Sequence, residues 1–188
     1  MTDIARLHRL ALDATGQVVA AIEPGQMGLS TPCDGWDVRA LLNHVVSGNQ
    51  WAGELARGRT IEEVGDRFDG DLVGDDPAGA YGRSAKVAAE VFEAPGALDA
   101  PCAVSYGPVP GSVYAGHRFM DVFVHGWDLA KATGQDTTLD PELVEAYIEV
   151  VEPQLDWMRS AGAFAGDVEV PPVAAPQTRL LTLLGRQP

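Results

Sequence analysis

The segment His117-Arg118-Phe119-Met120-Asp121-Val122-Phe123-Val124-His125 constrains the fold of this chain most. His117, Asp121 and His125 are spaced by four, so on an α-helix each lies one turn beyond the last on the same face. Phe119, Met120, Val122, Phe123 and Val124 are apolar on nearly every other side. A helix that is apolar almost all round belongs in the interior of a fold. Three ionisable groups in line on such a helix need partners, because burying an unpaired charge is costly.

The rest of the chain also reads as mostly helical. Ile4, Leu7, Ala11, Ala14, Val18 and Ile22 recur at three- and four-residue steps and predict a helix from Thr2 to Ile22, stopped by Glu23-Pro24-Gly25. Asp34 or Asp37 can cap a second helix, reaching Arg57, with Val38, Leu41, Leu42, Val45, Asn49 and Ala52 inward. Residues 58–76 are rich in Gly and Asp and predict a surface loop with at most a short helical turn. The order of its acidic residues does not match an EF-hand. A third helix is expected over Pro77–Glu93, with Tyr81, Ser84, Val87, Ala88 and Val91 inward. The Pro/Gly-rich stretch Ala94–Gly111 cannot be a regular helix. A fourth helix spans Ser112 to Thr133 and ends at Gly134. A fifth runs from Asp140-Pro141-Glu142 to Arg159. An extended tail over Gly162–Pro176 and a short helix over Gln177–Leu184 complete the chain. Long helices with short strands at most give an all-α class: a four-helix bundle with short C-terminal helices. At 188 residues the expectation is one domain over 1–188.

Composition removes several functions. The balance of 13 basic against 27 acidic residues gives a net charge of −14, which argues against nucleic acid and anionic membranes as partners. The N-terminus lacks a basic and an apolar region, so no signal peptide is visible, and no run is apolar enough to span a bilayer. The cytoplasm is the expected compartment, with Cys33 and Cys102 reduced and unbridged.

A carboxylate and an imidazole one turn apart, as in Asp121 and His125, can chelate one metal ion, or can form a buried hydrogen-bonded pair. A third ligand would have to come from another helix. His44 is the candidate, about 100° from the centre of its helix's apolar stripe; the alternative is a rim histidine satisfied by neighbours. Asp128 can support the site or pair at the helix surface, and Arg118 and Arg39 read as surface ion pairs or as carboxylate holders. Trp36, Trp51, Trp127 and Trp157 read as core and rim aromatics, and Cys33 as a small buried hydrophobe rather than a ligand.

Two motifs carry a resemblance. Thr31-Pro-Cys-Asp-Gly-Trp-Asp-Val-Arg-Ala-Leu-Leu-Asn-His44-Val45 resembles the TPCxGWxVxxLLxH segment of the DinB/YfiT-like superfamily. His125-Gly-Trp127-Asp128-Leu-Ala130, with Asp121 four residues earlier, resembles the second signature of its actinobacterial branch, which includes mycothiol-dependent maleylpyruvate isomerase. The ending Leu180–Arg186 is similar to endings seen there. The resemblance implies a four-helix bundle with one divalent metal on His44, Asp121 and His125, and leaves His117 as a neighbour of the site. Those isomerases carry a further C-terminal domain, for which 188 residues leave no room. That departure bears on the isomerase reaction and leaves the metal positions intact.

Three protein ligands leave coordination positions open, as in catalytic metal sites. Two imidazoles and a carboxylate suit Zn²⁺ and admit Ni²⁺, Mn²⁺ or Fe²⁺. The implied function is a metal-dependent enzyme that activates a low-molecular-weight thiol such as mycothiol for transfer or isomerisation. Its partners would be that thiol and an electrophilic substrate, in a monomer or homodimer. The alternative is a non-enzymatic metal-containing ligand-binding or stress protein. A third possibility shares the ligand set with the facial triad of non-haem iron oxygenases. The Ala94–Gly111 loop, with Tyr106 and Val109, and Trp51 on the second helix are the expected walls of the substrate cavity.

Overall fold

A computed structural model of the chain describes residues 3–151 and 174–187. They group into two compact units, 3–137 and 138–187. In the first unit, α1 (Ile4–Ala20) is capped by the Asp3 carboxylate, which accepts from Arg6 N at 3.1 Å. α2 (Val38–Leu55) begins at Asp37, whose side chain accepts from Ala40 N at 2.8 Å. Such caps contribute about 1 kcal/mol each and fix where a helix starts. The Gly/Asp-rich stretch holds one turn, α3 (Ile61–Val64), closed by a Thr60/Glu63 capping box. It is stitched to α2 by Asn43, which donates to Gly70 O and accepts from Leu72 N. α4 (Pro77–Glu93) follows the Asp76 cap.

The Pro/Gly-rich stretch forms a small antiparallel hairpin, β1 (Pro101–Val104) and β2 (Gly107–Pro110), with Pro101 opposite Pro110 and Val104 opposite Gly107. It runs directly into α5 (Gly111–Thr133). Gly134, at φ 71°, ends α5 because the left-handed turn costs glycine nothing.

The four long helices form a ring in which α1 packs on α5, α5 on α2, α2 on α4 and α4 on α1. The all-α expectation holds. α5 is buried over most of its length, including Phe119, Val122, Phe123, Trp127 and Leu129. Where α1 meets α5, Thr15 donates to Val122 O at 3.1 Å, and a Cβ at Gly126 would lie only 2.3 Å from the Thr15 hydroxyl.

The inner face of α1 is rotated from the expected stripe. Ala14 is exposed and Val18 half-buried, while His8, Leu12, Thr15 and Val19 are buried. The polar Thr15 can point inward because an α5 carbonyl satisfies it. His8 packs edge-on against Phe92, at 5.3 Å between ring centroids. Burial, together with the Arg118 and Arg9 charges, lowers its pKa to about 3, so it is neutral at physiological pH.

In the second unit α6 (Pro141–Val151) packs with α7 (Pro176–Leu183), and Leu139 N donates to the Gln177 side chain at 2.9 Å. Trp157, the fifth helix beyond residue 151 and the tail through residue 173 lie outside the described residues. Among the described residues no helix is long and apolar enough to cross a membrane.

Two glycines test this packing against each other. Gly126→Ala should destabilise the protein by about 1–3 kcal/mol in urea unfolding, because its methyl group has no room against Thr15. Gly82→Ala, on an exposed part of α4 with open space around it, should stabilise by about 0.5–1 kcal/mol.

Candidate metal centre

The ring order makes α2 and α5 neighbours, and their half-buried faces meet at His44, Asp121 and His125. His44 Nε2 lies 3.1 Å and His125 Nε2 3.5 Å from the same oxygen, Asp121 Oδ1. The two imidazoles stand edge to face with centroids 5.1 Å apart. All three donor atoms fall within 4.8 Å of one another. The three residues that the resemblance names are thus brought together, each with one donor atom near the others.

The opposite ends of two of these side chains, Asp121 and His125, are already engaged. Asp121 Oδ2 accepts from Arg118 Nη1 at 3.0 Å. Arg118 is buried, and its other terminal nitrogen donates to Asn49 Oδ1 at 3.2 Å. Asn49 in turn donates to Ser84 Oγ on α4. Gly48 makes room for the guanidinium, since a Cβ there would stand 2.3 Å from Arg118 Nη1. The surface ion pair expected for Arg118 is thereby corrected: its charge is needed inside, against Asp121. Arg39 does form a surface pair, with Asp71 at 2.7 Å.

His125 Nδ1 lies 3.0 Å from Asp128 Oδ2. Asp128 is fully buried, so it is not a helix-surface residue. The Cys33 thiol donates to the same carboxylate oxygen at 3.4 Å and approaches His125 Nδ1 at 3.8 Å. Cys33 and Cys102 are both free thiols. Cys33, His125 and Asp128 also place donor atoms within 4.8 Å of one another, with His125 common to both groups. Asp128 can accept a hydrogen bond from a protonated Nδ1, which would make it a partner behind the imidazole rather than a second centre. A carboxylate behind a ligating histidine fixes its tautomer and orientation.

Electrostatics follow from these contacts. Burial opposes ionisation of Asp121, but the Arg118 charge and hydrogen bonds from His125 and His44 hold its carboxyl well below the usual range. Burial likewise opposes charge on His125, but bonds to Asp121, Asp128 and Cys33 outweigh it and push its pKa up to about 11. Without an ion, His125 is therefore an imidazolium between two carboxylates.

Sequence reasoning did not find Trp36 at the site. It lies over His44 at 4.9 Å and near His125 at 6.4 Å between centroids, and is 38% exposed. Its place in the turn before α2, eight residues from His44, was the available signal. Trp51 instead packs edge-on against Phe68. His117 and Tyr106 bond to each other, Tyr106 Oη to His117 Nδ1, at 2.7 Å.

Bundle, cluster and motifs together place the chain in the DinB-like class of helical proteins. Within it, the chain belongs to the mycothiol maleylpyruvate isomerase N-terminal domain family, whose model matches residues 8–130. Two uncharacterized proteins of Mycobacterium tuberculosis, from strains CDC 1551 / Oshkosh and ATCC 25618 / H37Rv, are each 40% identical over 184 residues, covering 95% of both chains. Among solved structures, the fold is similar to the mycothiol-dependent maleylpyruvate isomerase, with a TM-score of 0.65, 16% identity, and coverage of 88% of this chain and 73% of that one. A histidine-to-alanine mutant of that isomerase matches equally well.

Arg118→Met should cost about 1–3 kcal/mol in urea unfolding, because it leaves Asp121 Oδ2 and the buried Asn49 Oδ1 without their donor. The His125 contribution has the opposite pH dependence from that of an ordinary acid pair. Its folded pKa is raised, so in metal-free protein the stabilisation is complete below about pH 6.5 and fades as pH rises toward 11. Asp128→Asn should flatten this alkaline decline, measured by urea unfolding as a function of pH.

Proposed function

We propose that this protein is a divalent-metal-dependent enzyme that binds a low-molecular-weight thiol of the mycothiol type and uses it against an electrophilic substrate. The observation that carries the reading is the convergence of His44 Nε2, His125 Nε2 and Asp121 Oδ1 while Asp121 Oδ2 and His125 Nδ1 are held by other residues. Each ligand would contribute one donor atom, leaving coordination positions for an exogenous group. The family membership and the fold shared with a mycothiol-dependent isomerase support the thiol.

His44, Asp121 and His125 would hold a divalent ion, Zn²⁺ by their donor set, and such an ion would supply Lewis acidity that lowers the pKa of a bound thiol. The protein's own groups do the holding. Arg118 confines Asp121 to a single outward oxygen and neutralises its charge. Asp128 keeps the His125 proton on Nδ1, so that Nε2 is the ligating nitrogen. Cys33 donates to the same Asp128 oxygen that meets His125. Trp36 lies against both imidazoles and limits water on that side. The substrate enters from the side on which His44 and Asp121 are partly exposed, at 37% and 26% of their side chains.

Protein purified without a histidine tag should hold about one divalent ion per chain by elemental analysis, and His44→Ala or His125→Ala should abolish it. Loading near pH 7 should release about one proton per ion from His125, read by calorimetry in buffers of different ionisation enthalpy. Thiol-dependent conversion of electrophiles should disappear with the metal and return on reloading. Activity that persists in protein confirmed free of metal would overturn the proposal.

A further inference from the structure

Between Tyr114 and Ala130, α5 is buried at every position but three: His117, Asp121 and His125. These recur every four residues, so the accessible part of this stretch is one strip along a single side. Asp121 and His125 belong to the candidate metal centre. His117, one turn before Asp121 and about 6 Å away along the axis, has no part in it.

His117 is held in place. The Tyr106 hydroxyl meets its Nδ1 at 2.7 Å, with the rings tilted by 57°. Tyr106 lies in the turn between β1 and β2 and is 54% exposed. The base of that hairpin is clamped to the start of α5. Gly111 N donates to Ala100 O and Ser112 N to Leu98 O, each at 2.8 Å. A Cβ on Gly111 would collide with Ala97 O at 2.0 Å, so the approach needs glycine. Burial raises the Tyr106 pKa and lowers that of His117, which keeps the phenol protonated and the imidazole neutral. A protonated phenol can donate to Nδ1, the arrangement that leaves the single imidazole proton on Nε2.

We infer that His117, positioned by Tyr106, is the hydrogen-bond donor for the carbonyl oxygen of the electrophilic substrate. The inference builds on the proposed thiol-dependent reaction and assigns its second substrate a place. A neutral imidazole N–H polarises a carbonyl without introducing a charge. A conjugated carbonyl matches the chemistry. As the thiolate forms its C–S bond, the π electron pair moves onto the carbonyl oxygen, and the His117 bond to that oxygen strengthens. The imidazole keeps its proton throughout, and reversal of the step expels the thiolate.

Imidazole ¹⁵N spectra of the full chain, titrated with benzylideneacetone, with its saturated analogue 4-phenyl-2-butanone and with 4-phenylbutanoate, test this. Both ketones should shift the His117 Nε2 resonance saturably, in wild type and in His44→Ala, which separates this site from the metal reading. His117→Phe should weaken ketone binding about 3- to 10-fold, the worth of one hydrogen bond, and His117→Gln should restore part of it. Tyr106→Phe should convert His117 from one tautomer to a mixture, a change that a merely structural role would not produce. In cobalt-loaded protein the thiolate charge-transfer band should survive His117→Phe, and its absence from wild type would sink the thiol reading alone. The inference is overturned if neither ketone perturbs His117, if the carboxylate binds there in their place, or if His117→Phe binds ketone like wild type.

Discussion

Asp121 is an ionised carboxylate on a helix whose neighbours are almost all apolar, and a charge in such a place persists only when it is paired. Much of the bundle interior answers that demand. Arg118, one turn earlier on α5, supplies the compensating cation. Asn49 on α2 accepts from its other terminal nitrogen and itself donates to Ser84 on α4, while the buried Arg118 Nε has no hydrogen-bond partner among the described residues. Gly48 gives up its side chain so that the guanidinium fits. One carboxylate thus fixes residues on three helices. A polar network of this kind ties the packing of the three helices to one arrangement of its members.

The same network sets what the site can present. With Arg118 on Oδ2, Asp121 has only Oδ1 to offer outward, and both histidines are aimed at that atom. His125 is constrained at its far side by Asp128, and Asp128 by Cys33. Two of the three donors, on Asp121 and His125, are therefore held in orientation by residues behind them. Such fixation limits the entropy lost when a ligand binds.

How much of this could be read in the sequence depended on whether the signal was local. Helix limits were legible because caps and breakers are local: Asp37 starts α2, Pro77 starts α4 and Gly134 stops α5. The hairpin was visible only as an absence of helix, since its four-residue strands hold three prolines and a glycine and show no alternation. The three members of the cluster were legible as residue types at helical spacing, with His44 joined to the pair through motif resemblance. Arg118 was misread because spacing alone does not reveal that its side chain runs inward along α5, where Gly48 leaves a gap. Trp36 and Tyr106 reach their partners from turns, and turn residues carry no periodicity that would orient them. Thr15 was overlooked as an inward residue because its satisfaction depends on a carbonyl 107 positions away.

Two histidines on one side of α5, two turns apart, end in opposite protonation states, and the cause lies in what each nitrogen meets. His125 has a carboxylate at either nitrogen, Asp121 at Nε2 and Asp128 at Nδ1, so the charged form gains more from these partners than burial takes away. His117 meets a phenol, which can donate to Nδ1 but brings no charge to offset burial, and its pKa falls. Environments that push like groups apart mark a division of labour in a site. The carboxylate-bound histidine suits an ion, because a cation can take the place of its Nε2 proton between the same negative partners. The phenol-bound histidine suits a neutral acceptor, because its remaining N–H carries polarity without charge. Asp121 lies between them on the helix, so under the proposed reaction a thiolate at the cluster would sit one turn from an electrophile oxygen at His117.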